Sequence, residues 1–285
     1  MDKLPISVII ITYNEENNIE ECIRSVFEWA GEIFIVDSGS CDRTLEIAAN
    51  YTEKIYSHPF ENFAQQRNWS QDNLPLSNNW VFHLDADERV TVELAQELDK
   101  FFSRYLDADG FMISRRTVFR GKWIKHGGHY PVYHLRIFKK DKGRSEERLY
   151  DQNYIVKGKI KKMKGDIINI INPDLVLWKK RHRQWAYLEA QEVLFNKERV
   201  LNIRLTGGPI ERRNWLRYKL YYRLPLFMRS FFYFFYRYIL RLGFLDGRQG
   251  LLFHFWQGFW YRWLVDKQIY ALKKNKETRL SRRLK

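Results

Sequence analysis

The sequence predicts an α/β protein, with an N-terminal domain on a mostly parallel sheet and a helical, aromatic-rich, basic C-terminal region. Three observations carry this prediction. Over the first 110 residues, short β-branched runs alternate with stretches of helical spacing, the pattern of right-handed βαβ units. Charge is divided along the chain: residues 1–178 hold 24 basic and 27 acidic side chains, residues 179–285 hold 25 and 7. That asymmetry argues for two regions meeting different partners. Rings also crowd between residues 212 and 270, in FFYFFYRYILRLGF and LLFHFWQGFWYRWLV.

Taken in order, ISVIII is a short apolar run suited to a strand buried on both faces. It stops at TYNEEN, after which Ile19, Cys22, Ile23, Val26 and Phe27 recur at helical spacing. EIFIVD predicts a second strand, SGSCD a turn, and Leu45, Ile47 and Ala48 a second helix. EKIYS predicts a short strand, FAQQRNWSQ a helix, NWVFHLD a strand and TVELAQELDKFF a helix. Residues 111–178 change character: strand-like alternation is broken by Gly and Pro, and YIVKGKIKKMKGDIINII predicts a hairpin. From about Lys179 onward the pattern is helical.

Cys22 and Cys41 are too few for a disulfide framework or a structural zinc site, and they fit a reducing cytoplasm. The run Ile6–Ile11 has no basic lead and meets acids at once, unlike a signal peptide. No stretch reaches the roughly 18–20 uninterrupted apolar residues of a spanning helix.

Three polar clusters follow predicted strands: Thr12, Asn14 and Glu15; Asp37, Ser38 and Asp42; Asp85, Asp87 and Glu88. Ligands of open α/β sheets bind outside the carboxyl ends of the strands, at a switch in strand order, so the clusters are expected to converge. Each also has a plainer reading. Asn14 reads as a helix cap, Ser40 and Asp42 as a turn with an N-cap, and DADE as a solvated loop. No GxGxxG and no GxxxxGK[ST] follows a strand, which argues against dinucleotide and P-loop chemistry. Asp85 and Asp87, two apart on an extended strand end, project to one side and suit a hard divalent cation, Mg²⁺ or Mn²⁺. Glu88 reads as the weakest ligand, pairing with Arg89 or capping the helix that starts near Thr91.

SVIIITYNEENNIEECIRSV, EIFIVDSGSCDRTLEIA, FAQQRNWS and WVFHLDADERVTVEL together resemble the family 2 glycosyltransferases of the GT-A fold. GKWIKHGGHYPVYHLRIFKK and GFLDGRQGL are similar to the lipopolysaccharide core β-glycosyltransferase branch, and the resemblance covers about residues 5–255. It implies an inverting transfer from a nucleotide-sugar, a UDP-sugar above all. By the same resemblance, Thr12, Asn14 and Glu15 line the nucleoside pocket, Asp37 meets the base and Arg67 the diphosphate, while Asp85 and Asp87 hold ribose and metal. The domain expectation is then 1–178 for the GT-A domain, with 1–110 binding the nucleotide-sugar and 111–178 the acceptor, and 179–285 for a helical, membrane-associating region.

The chain departs from the family pattern on the acceptor side. Where the family reads RLVHE, this sequence reads RLYDQN, with Asp151 at the His and Gln152 at the Glu that serves as base. Glutamine accepts no proton usefully, so Asp151 is the expected base, with Glu146 and Glu147 as alternatives. Asn169 stands for the family's histidine at the end of the hairpin, and Val132 where an acid is common. Trp123, His126 and Tyr130, with His129 beside them, are the acceptor-site candidates; a glycine turn with packed rings and exposed histidines is the plainer reading.

In the C-terminal region Arg237 and Arg241 share a helix face. Rings and cations so mixed suit a helix in the interface of an anionic inner membrane, or rings packed on the first domain. The rings are too clustered for a nucleic-acid groove, and no nucleic-acid partner is expected. In GFLDGRQGL, Asp246 reads as pairing with Arg248 in a structural joint, with Arg248 reaching a phosphate as the alternative. The function expected is transfer to a membrane-held glycolipid such as a lipopolysaccharide core, by a peripheral protein at the cytoplasmic face. Two other readings stand: a capsule, exopolysaccharide or other lipid-linked oligosaccharide transferase, and a membrane-tethered nucleotide-sugar-binding protein without catalysis.

Overall fold

The computed structural model describes residues 3–104, 107–148, 152–171, 174–195 and 204–283. Strand β1, Leu4–Thr12, is buried along almost its whole length, as its unbroken apolar run requires. It pairs in parallel with β2, Ala30–Asp37, on one side. Helix α1, Ile19–Phe27, lays Ile19, Cys22, Ile23 and Val26 into the core, and the shorter α2, Thr44–Ala49, follows β2. Next come β3, Ile55–Ser57, which pairs with β2, and α3, Phe63–Asn73, whose start is capped by Asn62 accepting the Gln65 N–H. Strand β4, Trp80–Asp85, pairs in parallel with the free side of β1. Past β5, Glu88–Val90, helix α4 spans Val92–Ser103.

The remaining strands are β6, Gly110–Phe119; β7, Lys122–Ile124; β8, Tyr133–Lys139; β9, Gly143–Ser145; β10, Tyr154–Val156; and β11, Ile160–Ile171. The main sheet runs β3-β2-β1-β4-β8-β6-β11-β5. It is parallel from β3 to β4, and the β4–β8, β6–β8 and β11–β5 pairs are antiparallel. The sequence order of the strands reverses between β1 and β4, the switch point where such sheets open a crevice. Ile6, Val8, Ile10, Phe82, Phe111 and Ile137 belong to one continuous core, with Trp80 stacked on Phe111 at 5.2 Å.

The expected hairpin over 154–171 is not what forms. β10 pairs with β9, and β11 pairs with β5. The turn between β10 and β11 is held elsewhere: Asp109 accepts the Lys159 N–H at 2.9 Å, and Lys157 N–H reaches the Lys142 carbonyl at 2.9 Å. Gly158 sits there at φ +124°, where a Cβ would fall 2.1 Å from the Asp109 carboxylate.

Two compact units result. One comprises the described residues up to Val118, with Pro131–Glu147 and Gln152–Ile171; the other comprises Phe119–Tyr130, Arg148 and the described residues from Asp174 onward. In the second unit, α5, Leu175–Phe195, packs Ala186, Ala190 and Val193 against Tyr261, Val265 and Ile269 of the last helix. Between them lie α6, Pro209–Trp215; α7, Met228–Phe235; and α8, Gly247–Phe253. The last helix, α9, is Tyr261–Arg283. Widened π turns at Leu216–Leu220, Tyr236–Leu240 and His254–Trp260 continue three of these helices. Buried charge in this unit is paired: Glu189 accepts from Tyr222, Tyr261 and Arg262, and Asp266 from Arg229. No helix among the described residues is long and apolar enough to cross a membrane.

His182 is buried, stacked on Trp178 at 3.5 Å with its Nδ1 2.8 Å from the Trp178 carbonyl. Burial pushes it down from 6.5 to about 4, against that carbonyl and assisted by Arg181. The unfolded chain therefore binds a proton here that the folded chain refuses between the two values. Stability should fall as pH drops through this window, by about 3 kcal/mol from this histidine. Denaturant melts from pH 7 to pH 4 should show that loss, and His182→Phe should flatten the slope.

Candidate functional site

The parallel register brings three predicted residues level. Thr12 on β1 lies opposite Asp37 on β2, and Ile11 lies opposite Asp85 on β4. Thr12, Asp37 and Asp85 therefore end adjacent strands at the switch point. Thr12 is 5% exposed, and its Oγ1 has no hydrogen-bond partner among the described residues. Buried hydroxyls are rarely left so.

The loops after β1 and β2 are tied to each other. Asn14, in the left-handed region at φ +52°, donates its N–H to Ser40 Oγ and accepts the Cys41 N–H at Oδ1, both at 2.8 Å. Glu15 N–H reaches Thr44 Oγ1 at 2.8 Å and Glu16 N–H reaches Asp42 at 3.1 Å. Asn14 therefore joins two loops and does not cap α1, which starts after Asn18. Asp42 accepts the Thr44 N–H at the start of α2 at 3.0 Å from one position before the N-cap, which is Arg43 and not Asp42. Asp37 folds its own loop, accepting the Gly39 and Ser40 N–H groups at 2.8 and 2.9 Å.

At the end of β4 the carboxylates sit among two guanidiniums. Arg67, on α3, donates to Asp85 at 2.9 Å. Arg136, on β8, donates to Asp85 at 3.2 Å and to Glu88 at 2.7 Å. Glu88 also accepts the Asp85 N–H at 3.1 Å and is fully buried. Burial alone would raise the Asp85 carboxyl, and the two guanidiniums outweigh it and hold it well below the usual carboxylate range. Burial raises Glu88 above its usual value, with Arg136 opposing.

Glu88 thus pairs with Arg136 and not with Arg89, which reaches Asn18 Oδ1 at 3.0 Å. Thr91 caps α4, accepting the Leu94 N–H. Glu88 is too buried to act as a surface pair for Arg89 or as a cap; a buried carboxylate needs a cation, and Arg136 at 2.7 Å, with Arg115 farther off at 3.9 Å, supplies it. Arg136 escaped the sequence reading. Its signal is an arginine inside the apolar strand run LRIF, where a charge is tolerated only against a buried carboxylate.

Asp87 is different in kind. It is half-buried, and burial followed by the Asp85, Glu88 and Glu15 carboxylates pushes it up to about 8, against Arg115. This is a site short of positive charge. Among the described residues no three His, Cys, Asp or Glu side chains converge closely enough to hold a metal alone. The chemistry of the Asp87 carboxylate, with Asp85 beside it, fits a hard divalent cation.

Asp151, the expected base, lies outside the described residues. Gln152 is half-buried. Glu146 is buried and accepts from the Asn153 N–H at 3.1 Å and Nδ2 at 3.2 Å, while Glu147 is exposed. Asn169 faces Glu88 across the β11–β5 pair.

Trp123, His126 and Tyr130 belong to the second unit. Trp123 and Tyr130 meet edge to face, centroids 4.9 Å apart. His126 Nδ1 lies 2.7 Å from Asp246, whose other oxygen accepts the His126 N–H at 2.9 Å. Asp246 is therefore held by His126, and the expected pairing with Arg248 gives way; Asp246 is buried, whereas Arg248 is exposed to water. Gly127, at φ +68°, leaves room for the His254 ring, 2.1 Å from where its Cβ would stand.

An open α/β sheet with an Asp–Arg network at its switch point thus defines the class of fold. The family model for glycosyl transferase family 2 matches residues 7–160, and the chain belongs to that family. The lipopolysaccharide core biosynthesis glycosyltransferase LpsC of Rhizobium meliloti is 31% identical over 147 residues, 50% of this chain and 53% of that protein. An uncharacterized glycosyltransferase of Rickettsia bellii is 36% identical over 98 residues, 34% of this chain and 33% of that protein. The chain thus matches about half the length, or less, of these relatives. Among solved structures, S. aureus TarS 1-349 in complex with UDP is similar with a TM-score of 0.43 and 15% identity, covering 98% of this chain and 92% of that one.

Removing Arg136 takes the nearest cation from the buried Glu88 and leaves Asp85 to Arg67 alone. Arg136→Ala should cost about 3–5 kcal/mol in denaturant unfolding, and Glu88→Gln in the same chain should restore part of it. Strictly additive losses would mean the pair is not coupled.

Proposed function

We propose that this chain is an inverting, metal-assisted glycosyltransferase. It moves a sugar from a nucleotide-sugar, of the UDP class, to a membrane-held glycolipid such as a lipopolysaccharide core. The observation that carries the reading is the level placement of Thr12, Asp37 and Asp85 at the switch point, beside an Asp87 short of positive charge. Family membership and the similarity to LpsC support it.

The chemistry follows from the charges. Arg67 and Arg136 are balanced by Asp85 and Glu88, so a bare diphosphate would meet the Asp87 carboxylate with Arg115 as its opposing cation. Asp87, with Asp85 beside it, would hold Mg²⁺ or Mn²⁺, which would supply positive charge against the diphosphate and the departing nucleotide. Thr12 offers its unpartnered hydroxyl to the nucleoside, while the Asn14–Ser40 link keeps the two loops, with Glu15 and Asp37, open around it. Arg67 locks Asp85 in its ionised form and presents its cation beside the diphosphate. Asp151 takes the acceptor hydroxyl proton as that oxygen attacks the anomeric carbon from the face opposite the nucleotide. Trp123, His126 and Tyr130 meet the acceptor. The protein acts at the cytoplasmic face, where nucleotide-sugars are made.

Gln152, at the family's base position, favours one second reading: a nucleotide-sugar-binding protein without transfer. Thermal shift with UDP-sugars should give a rise that needs Mn²⁺ or Mg²⁺ and disappears in Asp87→Asn. Asp151→Asn should leave that rise intact and cut transfer to a lipopolysaccharide acceptor by about 100-fold or more. A metal-dependent shift with no transfer to any glycolipid acceptor would select the binding protein, and no shift with any nucleotide-sugar would remove both.

A further inference from the structure

Seventeen of the 26 large hydrophobic side chains exposed among the described residues fall between Leu216 and Tyr270. A monomer surface seldom concentrates apolar groups so heavily without a partner. Their spacing is regular. Along α7 and the π turn that continues it, the exposed residues come in pairs every four positions: Phe231 and Phe232, Phe235 and Tyr236, Ile239 and Leu240. The residues between them, Tyr233, Phe234, Arg237 and Tyr238, are half-buried. One face of this helix is therefore packed within the unit and the other is apolar and open. The widened turn at Tyr236–Leu240 keeps the third pair in line with the first two, because a wider turn brings residues four apart nearly into register.

The exposed charges of the stretch that carries this face have one sign. Residues 216–270 carry nine Lys and Arg and two acids, Asp246 and Asp266. Both acids are buried and held, by His126 and by Arg229. Lys219, Arg223, Arg241, Arg248 and Lys267 remain exposed, with no exposed carboxylate in the stretch to offset them. A second copy of the chain pressed on the same face would bring these cations against themselves, which disfavours a self-contact. An anionic lipid surface complements both halves of the pattern: headgroups meet the cations and the acyl boundary takes the rings. No helix of the described residues is long and apolar enough to span, so the geometry is that of a helix lying in the interface.

We infer that the α7 face, Phe231 to Leu240, inserts into the interface of an anionic phospholipid bilayer and holds the protein there. This deepens the membrane-held acceptor of the proposed function by naming the surface that meets the lipid.

The test is flotation of the full chain with vesicles of phosphatidylethanolamine and phosphatidylglycerol, beside vesicles of phosphatidylcholine. The protein should float with the anionic vesicles and stay bound when salt is raised from about 0.1 M to about 0.5 M, where surface charge is largely screened. Phe231→Ser/Phe235→Ser/Ile239→Ser changes only exposed side chains, so its melting temperature should hold while binding falls at least tenfold. Arg248→Glu/Lys267→Glu should erase the preference for anionic over neutral vesicles. In the unaltered protein, brominated acyl chains should quench tryptophan fluorescence, a readout that needs no variant.

A protein that stays at the bottom of both gradients and is not quenched overturns the inference. So does binding that salt alone abolishes, which would mean charge without insertion. A dimer that forms without vesicles and dissociates in the triple serine variant would assign the face to a second copy, also against it. Flotation uses neither donor nor acceptor, so a protein that floats but transfers no sugar fails only the enzymatic reading.

Discussion

The buried charge network at the end of β4 is the constraint on which the site depends. Asp85 is clamped by Arg67 from α3 and by Arg136 from β8, and Arg136 in turn neutralises Glu88 at the start of β5. Each charge is costly to bury alone, and together they compensate one another. The geometry ties three elements together, because Asp85 at the strand end takes one cation from the helix and one from the antiparallel strand. Specificity of arrangement, more than stability, is what such a cluster contributes.

The network also sorts the three acids of DADE into different jobs. Asp85 is held ionised by two cations, Glu88 is sealed beneath them, and Asp87 is left facing its own kind. Adjacent carboxylates with opposite shifts mark places where chemistry is arranged by environment. The second unit handles charge by a different rule. Its buried acids Glu189, Glu192, Asp246 and Asp266 are each met by arginine, histidine or tyrosine, and exposed cations lie in the same stretch as the exposed rings.

Much of the fold was legible because its signals are local. ISVIII and EIFIVD are too uniformly apolar to be anything but strands covered on both faces, and the helix after TYNEEN follows from five apolar positions on one stripe. The hairpin over 154–171 was misread for the same reason. Alternation predicts two strands, but which strand each one joins depended on Asp109 capturing the turn, an interaction 50 residues away. Asn14 as a helix cap and Asp246 with Arg248 fail likewise: each takes a partner far along the chain, Cys41 and His126, in place of a neighbour.

The sequence by itself determined the class of fold, the places where polar clusters follow strands, the family resemblance and the separation of a near-neutral half from a strongly basic one. Periodicity, composition and motif order are properties of a chain segment, and they survive without coordinates. Only the tertiary structure decided that Thr12, Asp37 and Asp85 stand level, because register is a relation between strands. It alone supplied Arg136, whose meaning is invisible until β8 lies beside β4. It also separated Asp87 from Asp85, for a carboxylate's charge state is set by whatever folding places within a few ångströms of it.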